Sequence, residues 1–277
     1  PLYLEVDMNE TAIAWTSATW NPASGCEKIS AGCAFCYASA IAENKRGTPA
    51  FRNGFDLTLR PHKLSEPARL KTPSLIFVNS MSDLFWDQIP DDYRHRILDV
   101  IDSCPQHEFQ VLTKRPEAMR DWSRKRPLPL NFWAGVTVEN AAALWRLDVL
   151  REVRAAIRFT SIEPMLSEVR ADWSGIQWVI GGGESGTHLA DPKLQAARGM
   201  AVRQRIGWQP RPDRIGWAQH LRDDVKAAGA AFFWKQWGGV RPTSAGRILD
   251  GRTWDEFPRL PAGGRVNAKL EGREVEV

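Results

Sequence analysis

The chain has 277 residues, of which 43% are hydrophobic and 25% charged, and its formal net charge is +4. This composition is ordinary for a globular protein with a sizeable core, and no apolar run reaches the roughly 18 residues that a membrane helix needs. The N-terminus lacks a signal-peptide pattern, and four cysteines in this length do not suggest a disulfide scaffold. We therefore expect a cytoplasmic protein with no membrane partner, whose positive charge permits a nucleic acid partner without requiring one.

Short β-like runs alternate with amphipathic helical stretches along most of the chain. The predicted strands are residues 14–20, 74–79, 108–113, 131–137, 156–161, 177–181 and 231–235. Helical patterns lie between them, as at residues 91–103 and 141–155, and this alternation favours a parallel sheet with helices outside it. A further strand-like segment, 55–60, is expected to be an appendage. Six repeats before Gly186 predict an α/β fold, a partial (βα)6 barrel of the TIM type, which the last strand would extend.

The segment 187–222 is expected to be irregular, and it contains the sequence Arg-Ile-Gly-Trp twice, at 205–208 and 214–217. We interpret it as a basic insertion in a barrel domain that spans residues 1–240. Residues 241–277 are rich in Gly, Pro and Arg, and we expect them to pack on the barrel as a C-terminal extension.

Polar residues follow five successive strands of the predicted barrel. They are Asn79-Ser80, Thr113-Lys114, Thr137 to Asn140, Ser161 to Glu163 and Gly181 to Glu184. The carboxyl ends of the strands form the active-site face of α/β barrels, so we predict one shared pocket there. The plainer alternative is that strand ends are polar in any protein.

Three cysteines, Cys26, Cys33 and Cys36, lie in one segment with the spacing C-x6-C-x2-C, directly before an Ala-rich helical stretch. A structural zinc site takes four ligands and a ferredoxin-type cluster takes four thiolates, so three thiolates would leave one iron of a cluster open to a reactant. A zinc knuckle completed by a histidine is the alternative, but His62, the nearest in sequence, lacks finger-like spacing. A ferredoxin-like carrier would have no use for a large barrel.

The segment Cys33-Ala34-Phe35-Cys36 resembles the second half of the radical S-adenosylmethionine (SAM) signature C-x3-C-x-φ-C, with six residues in the first gap instead of three. Its surroundings, from Trp20-Asn21-Pro22 to Tyr37-Ala38, are similar to a phage-associated family of radical SAM proteins. They are more distantly similar to the spore photoproduct lyase group. Further matching segments are residues 77–85, 111–116, 161–164, 182–186 and 233–238.

The resemblance implies a [4Fe-4S] cluster on Cys26, Cys33 and Cys36, the residues that carry the catalysis. The open iron would chelate the amino and carboxylate groups of SAM. Reduction by a donor such as flavodoxin or ferredoxin would then cleave SAM to methionine and a 5′-deoxyadenosyl radical. The barrel would exclude water and hold a substrate C–H beside that radical.

Residues for SAM are proposed at the strand ends, where helix capping or a solvated loop is the alternative for each acid. The resemblance places Phe35 near the adenine, Ser80 or Asp83 at the amino group, and Thr137 and Glu139 at the ribose. The remaining candidates are Ser161, Glu163, Gly182 and Glu184. Glycines in the last group would allow close approach of adenosine or a phosphate to the backbone.

Basic side chains bind phosphates and aromatic side chains stack on bases, and this chain has thirteen tryptophans besides its arginines. One such group surrounds Trp122, at residues 114–126, and the other is the insertion. The residues assigned to substrate are Lys114, Arg115, Arg205, Trp208, Arg214, Trp217 and Lys235. By analogy with the photoproduct lyases we predict modification or repair of nucleic acid. The alternatives are a small nucleotide or peptide substrate, and a non-catalytic iron–sulfur protein that binds nucleic acid.

Overall fold

Parallel strands dominate the structure, a computed structural model that describes residues 11–259. Its strands are β1 (Ala18–Trp20), β2 (Ala23–Ser24), β3 (Thr58–Leu59), β4 (Leu75–Val78), β5 (Glu108–Thr113), β6 (Phe132–Thr137), β7 (Ile157–Ile162), β8 (Trp178–Gly182), β9 (Ala201–Gln204), β10 (Gly207–Pro210) and β11 (Ala231–Gln236). Its helices are α1 (Tyr37–Asn44), α2 (Glu66–Arg69), α3 (Asp91–Ser103), α4 (Pro116–Lys125), α5 (Trp145–Arg151), α6 (Pro192–Arg198) and α7 (Ile215–Ala227).

Seven of these strands form one parallel sheet in the order β1-β4-β5-β6-β7-β8-β11. The sheet curls into a half-barrel, since the ring of Trp15, just before β1, lies 6.1 Å from that of Trp178 on β8, five strands away. All seven predicted strands are therefore confirmed, as is the partial TIM-type barrel, and β11 extends it. The first strand is shorter than predicted because residues 14 and 15 form a turn.

The inner face of the half-barrel is filled by aromatic side chains. The ring of Trp178 lies 5.6 Å from Phe159 and 6.3 Å from Phe233 on the two neighbouring strands, and 5.9 Å from Trp133 on β6, two strands away. Such spacings are those of favourable edge and tilted ring contacts, and each fully buried ring contributes roughly 1.5–3 kcal/mol through burial. Side chains two residues apart on a strand lie on the same face of the sheet. At the carboxyl ends of the strands, this inner face carries shorter, polar side chains.

Helices cover the outer face, as the predicted alternation requires. Helix α3 has the predicted bounds and buries Ile97, Leu98 and Ile101 against the sheet. The predicted helix 141–155 is wrong in length: residues Ala141–Ala143 form a 3-10 turn and α5 follows as two turns. The predicted appendage at 55–60 is reduced to β3, which pairs with β2 outside the main sheet.

The segment 187–222 has regular structure, so the expectation of an irregular segment is wrong. A 3-10 turn (Thr187–Ala190) and α6 are followed by the hairpin β9–β10, and α7 begins at Ile215 as the helix that leads into β11. The two Arg-Ile-Gly-Trp copies therefore have different structures. The first forms the tip of the hairpin and the second begins a helix of the barrel.

The described part of the C-terminal extension packs on the barrel. It runs beside β11, where the Trp234 N–H donates to the Trp254 carbonyl (2.8 Å) and the Glu256 N–H donates to the Phe232 carbonyl (3.2 Å). This contact covers an edge strand that would otherwise offer free backbone groups. Residues 1–10 and 260–277 of the predicted domains lie outside the described residues. Between residues 11 and 259, no helix has the length and apolar character that a membrane span requires.

Candidate functional site

The loop that carries the three cysteines is anchored at the carboxyl edge of the sheet. It follows β2, and the N–H of Gly25 donates to the Met81 carbonyl (2.9 Å) while Ser82 Oγ donates to the Gly25 carbonyl (2.7 Å), just beyond β4. Gly25 has a φ of +98°, and a Cβ there would lie 2.6 Å from the backbone of Asp56. Only glycine fits this close approach, which brings Cys26 to the edge where the strands end.

The three thiols of this loop are free and half-buried. Cys33 ends a 3-10 turn, and Cys36 is the residue before α1. Burial and the negative charge of Asp83 raise the pKa of the Cys26 thiol to about 11. Burial acts in the same direction at Cys33, but the positive charge of Lys114 and hydrogen bonds within the loop outweigh it and lower the pKa. The sulfurs thus have different surroundings although they share one loop.

The first support of the loop is an ion pair between Asp83 and Arg115. Arg115 Nη1 donates to Asp83 Oδ2 (3.1 Å) and to Cys26 Sγ (3.6 Å), and Nη2 donates to the Glu27 carbonyl (3.4 Å). Asp83 is buried at the end of β4, and Arg115 directly precedes α4. One guanidinium therefore joins the strand ends to the first cysteine.

The second support is a buried pair, Glu139 and Arg146. Arg146 Nη1 donates to Glu139 Oε2 (2.7 Å), and a Cβ added to Gly32 of the loop would lie 3.2 Å from Glu139 Cγ. Burial acts to raise the pKa of the Glu139 carboxyl, but the Ser30 hydroxyl and the Arg146 charge outweigh burial and lower it. Glu139 therefore stays ionised beneath the middle of the loop.

The third support comes from the insertion. Arg198 donates to both oxygens of Glu184 (2.6 and 2.7 Å) and to the Ala31 carbonyl (3.1 Å). The rings of Phe35 and His188 stack at 3.9 Å with 6° between their planes, and the Arg198 guanidinium lies 5.1 Å from the Phe35 centroid. Helix α6 and the turn before it are thereby fastened onto the cysteine loop.

Three acids that sequence reasoning assigned to SAM thus pair with arginines, and two of these arginines, Arg115 and Arg198, also contact the loop. They are Asp83, Glu139 and Glu184. Sequence reasoning missed two of the arginine partners, Arg146 and Arg198, and also His188. No spacing marks these residues in the sequence, because each belongs to an element distant in the chain from the loop it supports. Phe35, assigned to the adenine, stacks on His188 of the insertion and remains 37% exposed.

A fourth pair lies in the barrel mouth. Lys235 Nζ donates to Glu163 Oε1 (2.7 Å), and Gln236 Nε2 lies 3.3 Å from the same oxygen. The register with β8 shifts between Trp234 and Gln236, so Lys235 sits at a bulge, which is a common way to redirect a side chain. Gly182 lies between the two partners, with space for a Cβ 3.4 Å from Glu163. Lys235 therefore pairs with an acid, and its assignment to substrate stays a prediction.

Small hydroxyl side chains complete the mouth. Thr137 and Ser161 are paired in register at the ends of β6 and β7, and they share the inner face with Trp133 and Phe159 by alternation. Ser80 Oγ donates to Asn21 (3.1 Å), and the Tyr37 hydroxyl donates to the Ser80 carbonyl (2.8 Å). Because Tyr37 is the first residue of α1, its hydroxyl links this helix to the segment that follows β4.

Lys114 is a cation of the mouth without an ion-pair partner among residues 11–259. Its backbone N–H donates to Asp83 (3.1 Å), whereas its ammonium group forms no ion pair with any described residue. Its charge nevertheless acts on both Cys33 and Glu139. An unpaired cation beside the cysteine loop is suited to binding an anionic group.

The residues of the insertion that were assigned to substrate lie in two settings. Arg205 is exposed at the hairpin tip, next to Ile206, which is 77% exposed. Arg214 is buried and donates to the carbonyls of Ala196, Ala197 and Gly199, and its guanidinium covers the ring of Trp217 at 4.7 Å. Trp208 packs on the C-terminal segment, 3.0 Å from where a Cβ of Gly239 would lie. These contacts favour the hairpin tip over Arg214, Trp208 and Trp217 as a ligand surface.

The basic residues around Trp122 also lie away from the mouth. Trp122 is buried in the core, and Arg120 and Arg124 on the outer surface of α4 form ion pairs with Asp121 and Glu152. The described structure therefore separates this group from the cysteine loop, apart from Lys114 and Arg115.

The chemistry of the three thiols fits an iron–sulfur cluster. Within the described part of the chain, no three Cys, His, Asp or Glu side chains converge on one point where a single metal ion could bind. Thiolates of a [4Fe-4S] cluster bind different irons, so its ligands surround a volume instead of converging on one ion. Three free thiols on one loop at the barrel mouth supply the thiolates that such a cluster needs, whereas a structural zinc site takes four ligands.

Comparison with protein families identifies the chain. A model of the family described as "Protein of unknown function (DUF5131)" matches residues 10–204 and 204–258. The chain belongs to this family. The match covers the cysteine loop, all seven barrel strands, the insertion and the tail segment beside β11. No curated protein shows a significant sequence match to the chain.

Solved structures of spore photoproduct lyase are similar to this structure. The complex with dinucleoside spore photoproduct has 11% sequence identity and a TM-score of 0.53, over 84% of this chain and 81% of that chain. A double mutant with bound AdoMet and dinucleoside spore photoproduct has 10% identity and a TM-score of 0.52, over 83% and 80%. At this identity the likeness shows that this chain shares their fold, the partial barrel.

Proposed function

We propose that this member of the DUF5131 family is a radical SAM enzyme. The observation that carries the proposal is the position of Cys26, Cys33 and Cys36 as free thiols on one loop across the carboxyl edge of a parallel half-barrel. That edge is where α/β barrels place their chemistry. The likeness of fold to spore photoproduct lyase, including a form with bound AdoMet, supports it.

The residues of the mouth divide into a cluster site and a cosubstrate site. The three thiolates would hold the cluster, which together with SAM would supply reductive cleavage and a carbon-centred radical. Ser80, Thr137 and Ser161 offer hydroxyls toward SAM from three strand ends. Lys114, whose charge acts on Cys33 and which forms no ion pair within residues 11–259, would bind a carboxylate or phosphate.

The aromatic filling of the barrel protects this chemistry. Trp133, Phe159, Trp178 and Phe233 fill the interior below the mouth, so we expect a substrate to approach from the carboxyl edge. A closed floor lowers the access of water, which would otherwise compete for a reactive species. The Glu163–Lys235 pair stands at the border between this floor and the mouth, where it can orient a polar substrate.

Nucleic acid is the substrate class that we propose. The exposed Arg203 and Arg205 of the hairpin have no ion-pair partner among residues 11–259, and with Lys114 they provide cations at the carboxyl side of the barrel. The solved neighbours bind a dinucleoside lesion, which supports repair or modification as the reaction class. An electron donor of the flavodoxin or ferredoxin type, a cytoplasmic location and the likeness to a phage-associated family belong to the same proposal.

Anaerobic reconstitution tests the radical SAM proposal. The protein is loaded with iron and sulfide, reduced with dithionite and mixed with SAM, and 5′-deoxyadenosine is measured by mass spectrometry. We expect 5′-deoxyadenosine from the native chain and none from Cys33→Ala, because a ligand to the cluster is lost. Cys104→Ala, which removes the buried thiol outside the loop, is the matched control and should retain the product. Product formation by Cys33→Ala at the native rate would refute the ligand assignment.

A further inference from the structure

The guanidinium of Arg115 contacts the first cysteine directly. Nη1 lies 3.6 Å from Cys26 Sγ and 3.1 Å from Asp83 Oδ2, and Nη2 reaches the Glu27 carbonyl at 3.4 Å. Sulfur is larger than oxygen, so the longer distance to Sγ is that of a hydrogen bond. One planar group therefore donates to the sulfur, to the backbone next to it and to a buried acid, a geometry for which arginine is suited and lysine is not.

Asp83 fixes the orientation of this guanidinium. Its Oδ1 accepts from the Thr113 hydroxyl (2.7 Å) and the Phe85 N–H (3.0 Å), and its Oδ2 accepts from the Lys114 N–H (3.1 Å) and from Arg115 (3.1 Å). An ionised carboxylate offers about four lone-pair sites, so Asp83 is saturated. It has no acceptor left for the amino group of SAM, and its donors come from the ends of two neighbouring strands.

Neither of the other two thiols accepts a hydrogen bond from a cationic side chain among residues 11–259. Cys33 Sγ lies 3.5 Å from the neutral Ser30 hydroxyl, and within residues 11–259 no side chain hydrogen-bonds to Cys36. The loop is thus asymmetric, because only Cys26 has a cationic donor on its sulfur. Charge-assisted hydrogen bonds are roughly twice as strong as neutral ones.

We propose that Arg115, held by Asp83, is a positioning residue for the cluster and sets its reduction potential through Cys26. This inference rests on the proposed function and deepens it. Hydrogen bonds to cluster sulfurs and nearby charge are among the factors that set the potential of such clusters. A positive charge beside Cys26 stabilises the reduced state, so Arg115 raises the potential and makes the entry of one electron easier. Arg115 thereby acts on the cluster instead of on the substrate.

The test compares Arg115→Gln, Arg115→Lys and the control Arg124→Ala in the full chain without SAM. Arg124 is exposed on α4 and pairs with Glu152, so its removal changes net charge without touching the loop. Iron and sulfide content are measured first, and the midpoint potential is then measured by EPR-monitored titration. We expect the equilibrium constant for reduction to fall about tenfold in Arg115→Gln, a shift of about 59 mV to more negative potential for one electron. Arg115→Lys, which keeps the charge, should recover part of the shift.

Each outcome bears on one proposal. A native chain that takes up no cluster overturns the proposed function and this inference with it. A native chain that loads normally, with Arg115→Gln equal to Arg124→Ala in iron content and potential, overturns the inference alone. If Arg115→Gln has the same thermal unfolding temperature as the native chain but binds little iron, the positioning role is supported. If Arg115→Gln fails to fold, the potential of Arg115→Lys against Arg124→Ala decides by the same criterion.

Discussion

Gly25 stands where the chain passes from β2 into the cysteine loop, and its conformation determines where the loop lies. The backbone of Asp56 approaches within 2.6 Å of the point that a Cβ would occupy, and φ is +98°. Two independent reasons therefore require glycine here, a steric one and a conformational one. Gly47 has a similar φ of +87° but open space around it, which separates the two reasons.

Gly25→Ala should be far more destabilising than Gly47→Ala. We expect a loss of about 3 kcal/mol in the free energy of unfolding for Gly25→Ala, because strain and overlap add. Gly47→Ala should cost about 1 kcal/mol from the left-handed conformation alone. Urea unfolding of the cluster-free chain measures both changes. Equal losses in the two variants would show that the Asp56 contact relaxes at little cost.

The acids of the strand ends show how far single residues can be interpreted from sequence. Their positions after β4, β6, β7 and β8 were predictable, since polar residues follow apolar strands there. Their partners were not predictable: Asp83 binds Arg115, Glu139 binds Arg146 and Glu184 binds Arg198. An acid and an arginine attract one another whatever their spacing in sequence, so only the fold selects the pair.

At the scale of elements, the insertion acts in two ways. Helix α6 and the turn before it fasten Phe35 and Ala31 of the loop through His188 and Arg198. The hairpin β9–β10 ends in the exposed residues Arg205 and Ile206. Helix α6 and the turn before it therefore support the cysteine loop, whereas the hairpin tip is exposed and open to a partner.

The hairpin tip and Trp217 should respond differently to substitution. Trp217→Ala should lower the free energy of unfolding by about 2 kcal/mol, because the half-buried ring packs under Arg214. Arg203→Ala with Arg205→Ala should leave stability within about 0.5 kcal/mol and weaken binding of a single-stranded oligonucleotide. Loss of two phosphate contacts would also reduce the slope of log affinity against log salt by about 1.4.

Fluorescence anisotropy over a range of salt concentrations measures this binding. Lys71→Ala is the control, since this exposed lysine precedes β4 at the opposite edge of the sheet. Equal affinities of the hairpin double variant and the control would remove the hairpin from the nucleic acid surface. Salt-dependent binding by a chain that never cleaves SAM would favour a non-catalytic role.

At the scale of the whole molecule, the half-barrel has an open side that its tail closes. Phe257 lies 5.2 Å from the ring of Trp178 and 5.7 Å from that of Phe233, while the Trp178 indole N–H donates to the Glu256 carbonyl (2.9 Å). The described part of the C-terminal extension therefore packs against the aromatic side chains inside the half-barrel. It also covers the free edge of β11. An uncovered strand edge would invite pairing between molecules.

Phe257→Ala should lower the free energy of unfolding by about 2 kcal/mol, since half-buried ring contacts are lost. Ile248→Ala, at a 53% exposed position of the same tail, should change it by less than about 0.5 kcal/mol. Thermal unfolding and light scattering of the two variants provide the comparison. Native-like behaviour of Phe257→Ala in both would mean that the floor is stable without the tail.

The sequence by itself determined the strands, the partial barrel and the cysteine loop, because hydrophobic alternation and close spacing are local properties. It also indicated that polar residues follow the strands and that three of the four cysteines share one loop. Only the tertiary structure decided that the two Arg-Ile-Gly-Trp copies differ, that Phe35 stacks on His188 of the insertion and that Arg115 contacts Cys26. Contacts of this kind join residues far apart in the chain, and their energies depend on burial and orientation, which exist only once the sheet has curled and the loops have met.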